Sequence, residues 1–250
     1  MLSDPAKSKY YRLFAFLFWI ALWQLAALAA NSPVLLPSPV QTLEALFKLC
    51  AKNEFYHSIA ATLGRVAAGL AASIVLGVVL GWCASRAKFV AHMMDPFVAA
   101  MKSTPVMSVI LLAIVWLRAG NVPIFVCVLL CFPIMYTNTL HGILSIDKQL
   151  MQMARIYNVP RMKVLRGITL PSIKPDLYAG ILIIVGFSFK SVITAEVLSS
   201  PKTSMGYGMY TTKLYLDTAE LFAWTGVIIL LSMCLEKLVR SLFRDSGGRS

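Results

Sequence analysis

The chain has 250 residues, 58% hydrophobic and only 14% charged, with a mean hydropathy of +0.74. A soluble domain carries about a quarter of its residues charged, so a water-soluble globular fold is excluded. The net charge of +12 does not call for nucleic acid, because Lys and Arg gather at the ends of apolar runs, as they do on the cytoplasmic side of membrane proteins.

Several apolar runs reach the roughly 20 residues that a helix needs to cross a bilayer, and the class is a polytopic all-α membrane protein. The first run is Leu13–Ala30, preceded by the basic residues Lys7, Lys9 and Arg12. It is long and aromatic, and the Ala-Ala-Asn-Ser-Pro sequence after it is a poor cleavage context, so it reads as a retained first span with its N-terminus inside. Pro33, Pro37 and Pro39 mark an extended exit. Thr42–Cys50 has helical apolar spacing, with Glu44 four residues before Lys48, and is expected to lie along the outer surface.

The second span, Ile59–Ala84, is rich in small residues. Gly77 and Gly81 form one small-xxx-small pair and Ala68 and Ala72 another, patterns that allow close helix approach. They suit a dimer face or, as the preferred reading, tight packing within the protomer. Arg65 near the outer end can snorkel or pair.

Asp95-Pro96 opens the third span, which is expected to run through Pro105 to Leu117. Arg118–Pro123 is a tight turn, and Ile124–Leu140 returns with a kink at Pro133. Asp176–Leu198 is the fifth span, Ser199–Asp217 an outer loop with Pro201, Gly206 and Gly208, and Leu221–Leu238 the sixth span. Six spans with both termini cytoplasmic place fifteen Lys and Arg inside, Arg249 and Arg244 among them, and five outside.

Between the fourth and fifth spans lies the one long basic passage, Gln152–Pro171. With Arg155, Arg161, Lys163 and Arg166 it cannot sit in hydrocarbon, and the positive-inside rule puts it in the cytoplasm. Pro160 predicts a helix, a break at Asn158–Pro160, and a second short helix. Such a compact basic element is a docking surface.

Ionisable groups within spans are costly and mark functional sites by default. Lys102 sits in Met101–Pro105, and Lys190 sits mid-way along the fifth span between Ser188 and Ser191, with Thr194 and Glu196 beyond. For Lys190 two readings stand level: contact with an anionic or polar solute, together with the hydroxyls of Ser188, Ser191 and Thr194, or a buried pair with Glu196 or backbone. For Lys102 snorkelling is preferred over solute contact. Phe187 and Phe189 read as packing. Cys127 and Cys131, one turn apart, read as small packing residues, and no metal-ligand spacing occurs among the five cysteines.

The sequence has no GxxxxGK[ST] loop, so it carries no visible ATP site. His57, His92 and His141 stand at span ends without spaced partners, which gives an intramembrane enzyme no nucleophile–base set. A stand-alone secondary transporter or channel is the alternative of another class. It would place a coupling-ion acid at mid-membrane and show an inverted repeat of discontinuous helices, and neither is apparent.

The basic passage resembles the loop E-A-A-x3-G-x9-I-x-L-P of permease subunits of binding-protein-dependent ABC importers. Gln152-Met153-Ala154 stand at the E-A-A, Asn158 at the glycine, and Ile168, Leu170 and Pro171 complete it. From about residue 35 onward the chain is similar to the nitrate/sulfonate/taurine branch. The matching landmarks are Leu36–Pro39, Ser58 with Arg65, Val66 and Gly69, Asp95-Pro96, Phe132–Ile134 with Asn138-Thr139, and Ala195-Glu196.

The resemblance implies one permease domain over residues 1–250 in the type I importer fold, in the cell (inner) membrane, with residues 148–174 as the coupling loop. It implies two ATPase subunits carrying ATP and Mg, an external solute-binding protein, and a second permease subunit forming a homodimer. No cofactor is expected on this chain. Coupling would fall to Gln152, Met153, Ala154, Arg155, Asn158, Arg161, Leu170 and Pro171. Gln152 replaces the acid, so coupling is expected to rest on Arg155, Arg161 and shape. Asn158 replaces the glycine, and Asn is the residue best able to hold a left-handed turn in its stead.

Overall fold

The structure is a computed structural model that describes residues 5–244. Arg249 lies outside the described residues, as do the side chains of Lys7, Lys9, Arg12 and Arg244. In chain order the helices are α1 (Pro5–Ala30), α2 (Pro39–Cys50), α3 (Asn53–Arg86), α4 (Lys88–Ser103), α5 (Val106–Trp116), α6 (Val122–Leu144), α7 (Lys148–Ile156), α8 (Arg161–Val164), α9 (Leu170–Ser199), α10 (Met205–Leu214) and α11 (Thr218–Arg244). A π-helical turn, Leu165–Thr169, joins α8 to α9 without a break.

Among the described residues four helical runs are long and apolar enough to cross a membrane: Asn53–Arg86, Val122–Leu144, Arg161–Ser199 and Thr218–Ser241. Phe14–Ala30, the apolar part of α1, is shorter. The expected third span is a helix pair, α4 and α5, bent by 102°. Thr104 before Pro105 is extended (φ −73°, ψ 130°), because the proline ring crowds a helical residue before it. The Ala100 carbonyl at the break is satisfied by the hydroxyls of Ser103 (3.1 Å) and Thr104 (2.6 Å). Asp95-Pro96 lies inside α4 and does not open a span.

The direction of each helix follows from its contacts. Gly69 meets Cys127, Gly77 meets Met135 and Gly81 meets Thr139, so α3 and α6 run parallel. The chain between them must therefore travel the length of the bundle, and α4 with α5 is one broken span. Consistently, α4 packs at one end with Ala84, Phe132 and Tyr136, while α5 packs at the other with Val122, Val126 and Ala195. α9 is antiparallel to α6, since Gly142 meets Asp176 and Gly180 meets Asn138. One end of the bundle thus collects Arg86, Lys88, α7, α8 and the close of α11 with Lys237 and Arg240; this is the basic end.

The core is α3, α6 and α9, with Val66, Cys127, Cys131, Met135, Ile184, Phe189 and Val192 at its centre. Gly69, Ser73, Gly77 and Gly81 form a buried stripe at four-residue spacing. It accepts α6 so closely that a Cβ on Gly77 would stand 2.6 Å from the Met135 Cβ. The Gly77/Gly81 pair is thus packing within the protomer, whereas Ala68 is exposed and Ala72 half-buried. Phe189 is buried, and Phe187 is 40% exposed.

Several element bounds differ from expectation. α2 begins at Pro39, because Ser38 and Gln41 form a capping box and proline suits the first helical turn. α3 extends beyond both ends of Ile59–Ala84. The fifth span does not start at Asp176: helix runs unbroken from Arg161, 39 residues in all. Pro171 would crowd the Gly167 carbonyl and cannot bond to it, and the wider π turn just before it makes room. The outer loop Ser199–Asp217 contains α10.

Candidate functional site

The basic loop is built on two defined stops. Asp147 caps α7, accepting the Gln149 N–H at 2.7 Å. At the other end Asn158 is left-handed (φ 49°), its N–H bonds the Arg155 carbonyl (3.1 Å), and the Val159 N–H bonds the Ala154 carbonyl (2.9 Å). This is a Schellman close with Asn at the usual glycine position. Pro160 then starts α8, its carbonyl accepting from Lys163 (2.8 Å) and Val164 (3.1 Å).

Of the loop residues expected to act, Ala154 is buried at 4% exposure and anchors α7. Gln152, Met153, Arg155, Asn158, Arg161, Leu170 and Pro171 are exposed. Leu170 and Pro171 belong to the first turn of α9 and stand apart from the α7 surface in sequence and element. Arg155, Arg161, Lys163 and Arg166 form no ion pair among the described residues.

Of the apolar part of this surface the sequence pointed to Met153 alone, and Leu150, Ile156, Tyr157 and Met162 were passed over. Leu150 and Met153 of α7 and its C-cap Tyr157 recur at helical spacing, with Ile156 (77% exposed) beside them and Met162 on α8, all exposed. Exposed apolar side chains rimmed by arginine give this surface the composition of a protein interface. The 150/153/157 spacing was the available signal.

On α9 the expected pathway residues separate by face. Ile183, Phe187, Lys190 and Thr194 lie on one exposed stripe, and the Thr194 hydroxyl donates to the Lys190 carbonyl at 2.7 Å. Ser188 and Ser191 point into the bundle, at 0% and 4% exposure, donating to the carbonyls of Val185 (2.8 Å) and Ser188 (2.9 Å). Lys102, in the last turn of α4, is exposed.

The expected alternative of a Lys190–Glu196 pair is corrected. Glu196, fully buried, pairs with Arg65 of α3, Nη1 to Oε1 at 2.7 Å. The Thr62 hydroxyl donates to the same carboxylate (3.0 and 2.9 Å to its two oxygens), as does the Gly206 N–H at the start of α10 (3.1 Å). Six residues apart on one helix, Lys190 and Glu196 point to different faces.

Residues 73–244, more than half of the chain, match the family described as "Binding-protein-dependent transport system inner membrane component". The chain belongs to this family. It is an ABC-transporter permease component and a multi-pass inner-membrane protein. It is 28% identical over 233 residues to a probable ABC transporter permease of Brucella melitensis, covering 93% of this chain and 94% of that one. It is 25% identical to the taurine transport system permease of Escherichia coli K12 (89% and 82% covered) and 25% identical to the nitrate import permease of a Synechocystis species (85% and 81%). Among solved structures, an amino acid ABC transporter aligns with a TM-score of 0.61 at 11% identity, covering 77% of this chain and 93% of that one. The MetNI methionine ABC transporter in an inward-facing conformation aligns at 0.52 and 16% identity (74% and 93%). At those identities the likeness speaks for the fold.

Proposed function

We propose that this chain forms half of the solute pathway of an ATP-driven importer and couples to a separate ATPase subunit through residues 148–174. The observation that carries the reading is the α7–α8 surface: apolar Leu150, Met153, Ile156 and the C-cap Tyr157 held out on a capped helix and flanked by Arg155 and Arg161, which form no ion pair among the described residues. A folded loop has no reason to expose that stripe unless a partner covers it. The partners are then two ABC ATPase subunits, which hold ATP and Mg, an external solute-binding protein, and a second copy of this permease. ATP hydrolysis belongs to the ATPase, and this chain is not an enzyme.

The basic end faces the cytoplasm, since reversing the chain would put most of its cations outside. With α1 as a further span there are six, and both termini are cytoplasmic. Lys190 supports the pathway assignment: it forms no ion pair among the described residues, and a cation well inside a membrane helix cannot face hydrocarbon without large cost. Its stripe therefore borders a water-filled pathway or the partner copy. Lys190 and Thr194 meet the solute there, while Ser188 and Ser191 support the helix from within. Lys102 lies near the inner entrance. The relatives' printed substrates and this cation favour a small polar or anionic solute, such as a sulfonate, nitrate, a taurine-like compound or a vitamin precursor.

The α4–α5 break is the discontinuous helix that a stand-alone secondary transporter would use. One experiment separates the two readings. Purified from cells that also express an ABC ATPase encoded beside its gene, the chain is expected to bring that ATPase down in stable complex. A chain that purifies alone and moves solute without nucleotide would support the secondary transporter.

A further inference from the structure

Glu196 stands at the junction of three helices at the end opposite the basic loop. Its carboxylate receives Arg65 and Thr62 from α3 and the Gly206 N–H from α10. The same groups hold α10 and the turn before it a second time: the Met205 N–H donates to the Thr62 hydroxyl (3.0 Å), and Arg65 Nη1 donates to the Thr203 carbonyl (3.0 Å). Contact is so close that a Cβ on Gly206 would overlap the Glu196 side chain and the Val197 backbone. The node is a polar bolt through the first turn of α10.

Beyond Gly208, which packs on Trp224, and the buried Thr212, the chain at the far end of α10 comes to the surface. Leu214, Tyr215 and Leu216 are 61%, 83% and 67% exposed. Tyr207, Thr211 and Tyr215 line a cleft of about 1030 Å³ shared with His57 and Ser58 of α3 and Glu220 of α11. Any shift of α10 therefore reshapes this cleft.

The bolt also closes a mechanical line. From Arg161 to Ser199 the chain is one helical run, about 58 Å long at 1.5 Å per residue. Its first turn belongs to the basic loop and its last carries Glu196. A tilt of about 5° imposed at the loop moves the far end of such a rod by about 5 Å. Rigid elements fastened at both ends transmit a displacement in this way.

We propose that Arg65 and Glu196 are positioning residues that make α10 move with α9, so that displacement of the basic loop reaches the far-end cleft. The proposal rests on the ATPase-coupling assignment above. It concerns how the drive leaves the loop, and it gives residues at the opposite end a part in coupling.

The test uses the full chain in complex with its ATPase in lipid nanodiscs, with Lys213→Cys, at an exposed position of α10, as reporter. A polar maleimide labels the reporter with and without ATP and vanadate, and labelling of the unsubstituted chain's own cysteines is subtracted. The expected result is a change of about threefold or more in labelling rate on ATP–vanadate, shrinking to near none with Glu196→Gln while ATP hydrolysis stays within about twofold. A bolt that served folding alone would not separate those two readouts. Should Glu196→Gln fail to assemble, Thr62→Val, which removes the hydroxyl's bonds to Glu196 and to the Met205 N–H and keeps the shape, decides on the same readout. The proposal is overturned if the labelling change persists undiminished in these variants, or if the reporter chain hydrolyses ATP with no change at α10. A chain that recruits no ATPase overturns the coupling assignment itself.

Discussion

Gly77 of α3 presses on Met135 of α6: a Cβ at position 77 would lie 2.6 Å from the Met135 Cβ and 3.0 Å from the Tyr136 nitrogen. Neither the methionine Cβ nor the backbone can withdraw without moving α6. Gly77→Val is therefore expected to cost about 1–3 kcal/mol through overpacking, read as a lower unfolding temperature in detergent. Gly64, on the same helix with nothing within 4 Å of an added Cβ, gives the control. Gly64→Ala should leave that temperature unchanged or raise it slightly. Equal losses at both positions would mean that α3 and α6 do not meet along this stripe.

Asn158 holds φ 49° at the close of α7. Glycine adopts that conformation freely, while a β-branched residue loses about 1–2 kcal/mol there. Asn158→Gly should retain ATPase recruitment at the native level, and Asn158→Val should weaken it several-fold by misdirecting the chain into Pro160. Titration of the purified permease with ATPase subunit gives the answer. Recruitment by Asn158→Val at native strength would show that the turn does not set the loop's shape.

Lys190 and Ser188 are two residues apart and face opposite ways. Lys190→Ala is expected to abolish transport while the complex still assembles, since the side chain is exposed on α9 and lies outside the core. Ser188→Ala removes a hydroxyl that bonds only its own helix and should leave uptake within about twofold of the native rate. Uptake into proteoliposomes loaded with ATP, with taurine and nitrate as trial solutes, distinguishes the two. Full uptake of either by Lys190→Ala would remove that side chain from the pathway.

Much of the fold is legible in the sequence because membrane spans, turn residues and basic loops each have a local cause. The break at Asn158–Pro160 is one example, and the left-handed Asn158 another. What escaped lies in contacts between distant positions. Arg65 and Glu196 are 131 residues apart, and nothing near either names its partner. Lys190 was nearer in sequence but stands on the wrong face. The α4–α5 elbow did carry a signal, two hydroxyl residues before Pro105, but apolar residues on both sides made it read as one span. α10 was hidden by its own glycines. Gly206 and Gly208 resemble loop residues, yet each is there because α10 is pressed against Glu196 and Trp224. The apolar stripe of α7 was overshadowed by the cations beside it.

The central claim, that the basic loop transmits ATPase action, is tested most directly by ATP hydrolysis and recruitment in the purified complex with and without Arg155→Glu/Arg161→Glu. Both side chains are exposed and form no ion pair among the described residues, so reversing their charge leaves the permease fold intact. The account predicts that the native chain holds the ATPase and that the double reversal loses it, or keeps it with hydrolysis no longer linked to uptake. An ATPase bound and coupled equally well to the reversed loop would contradict the claim.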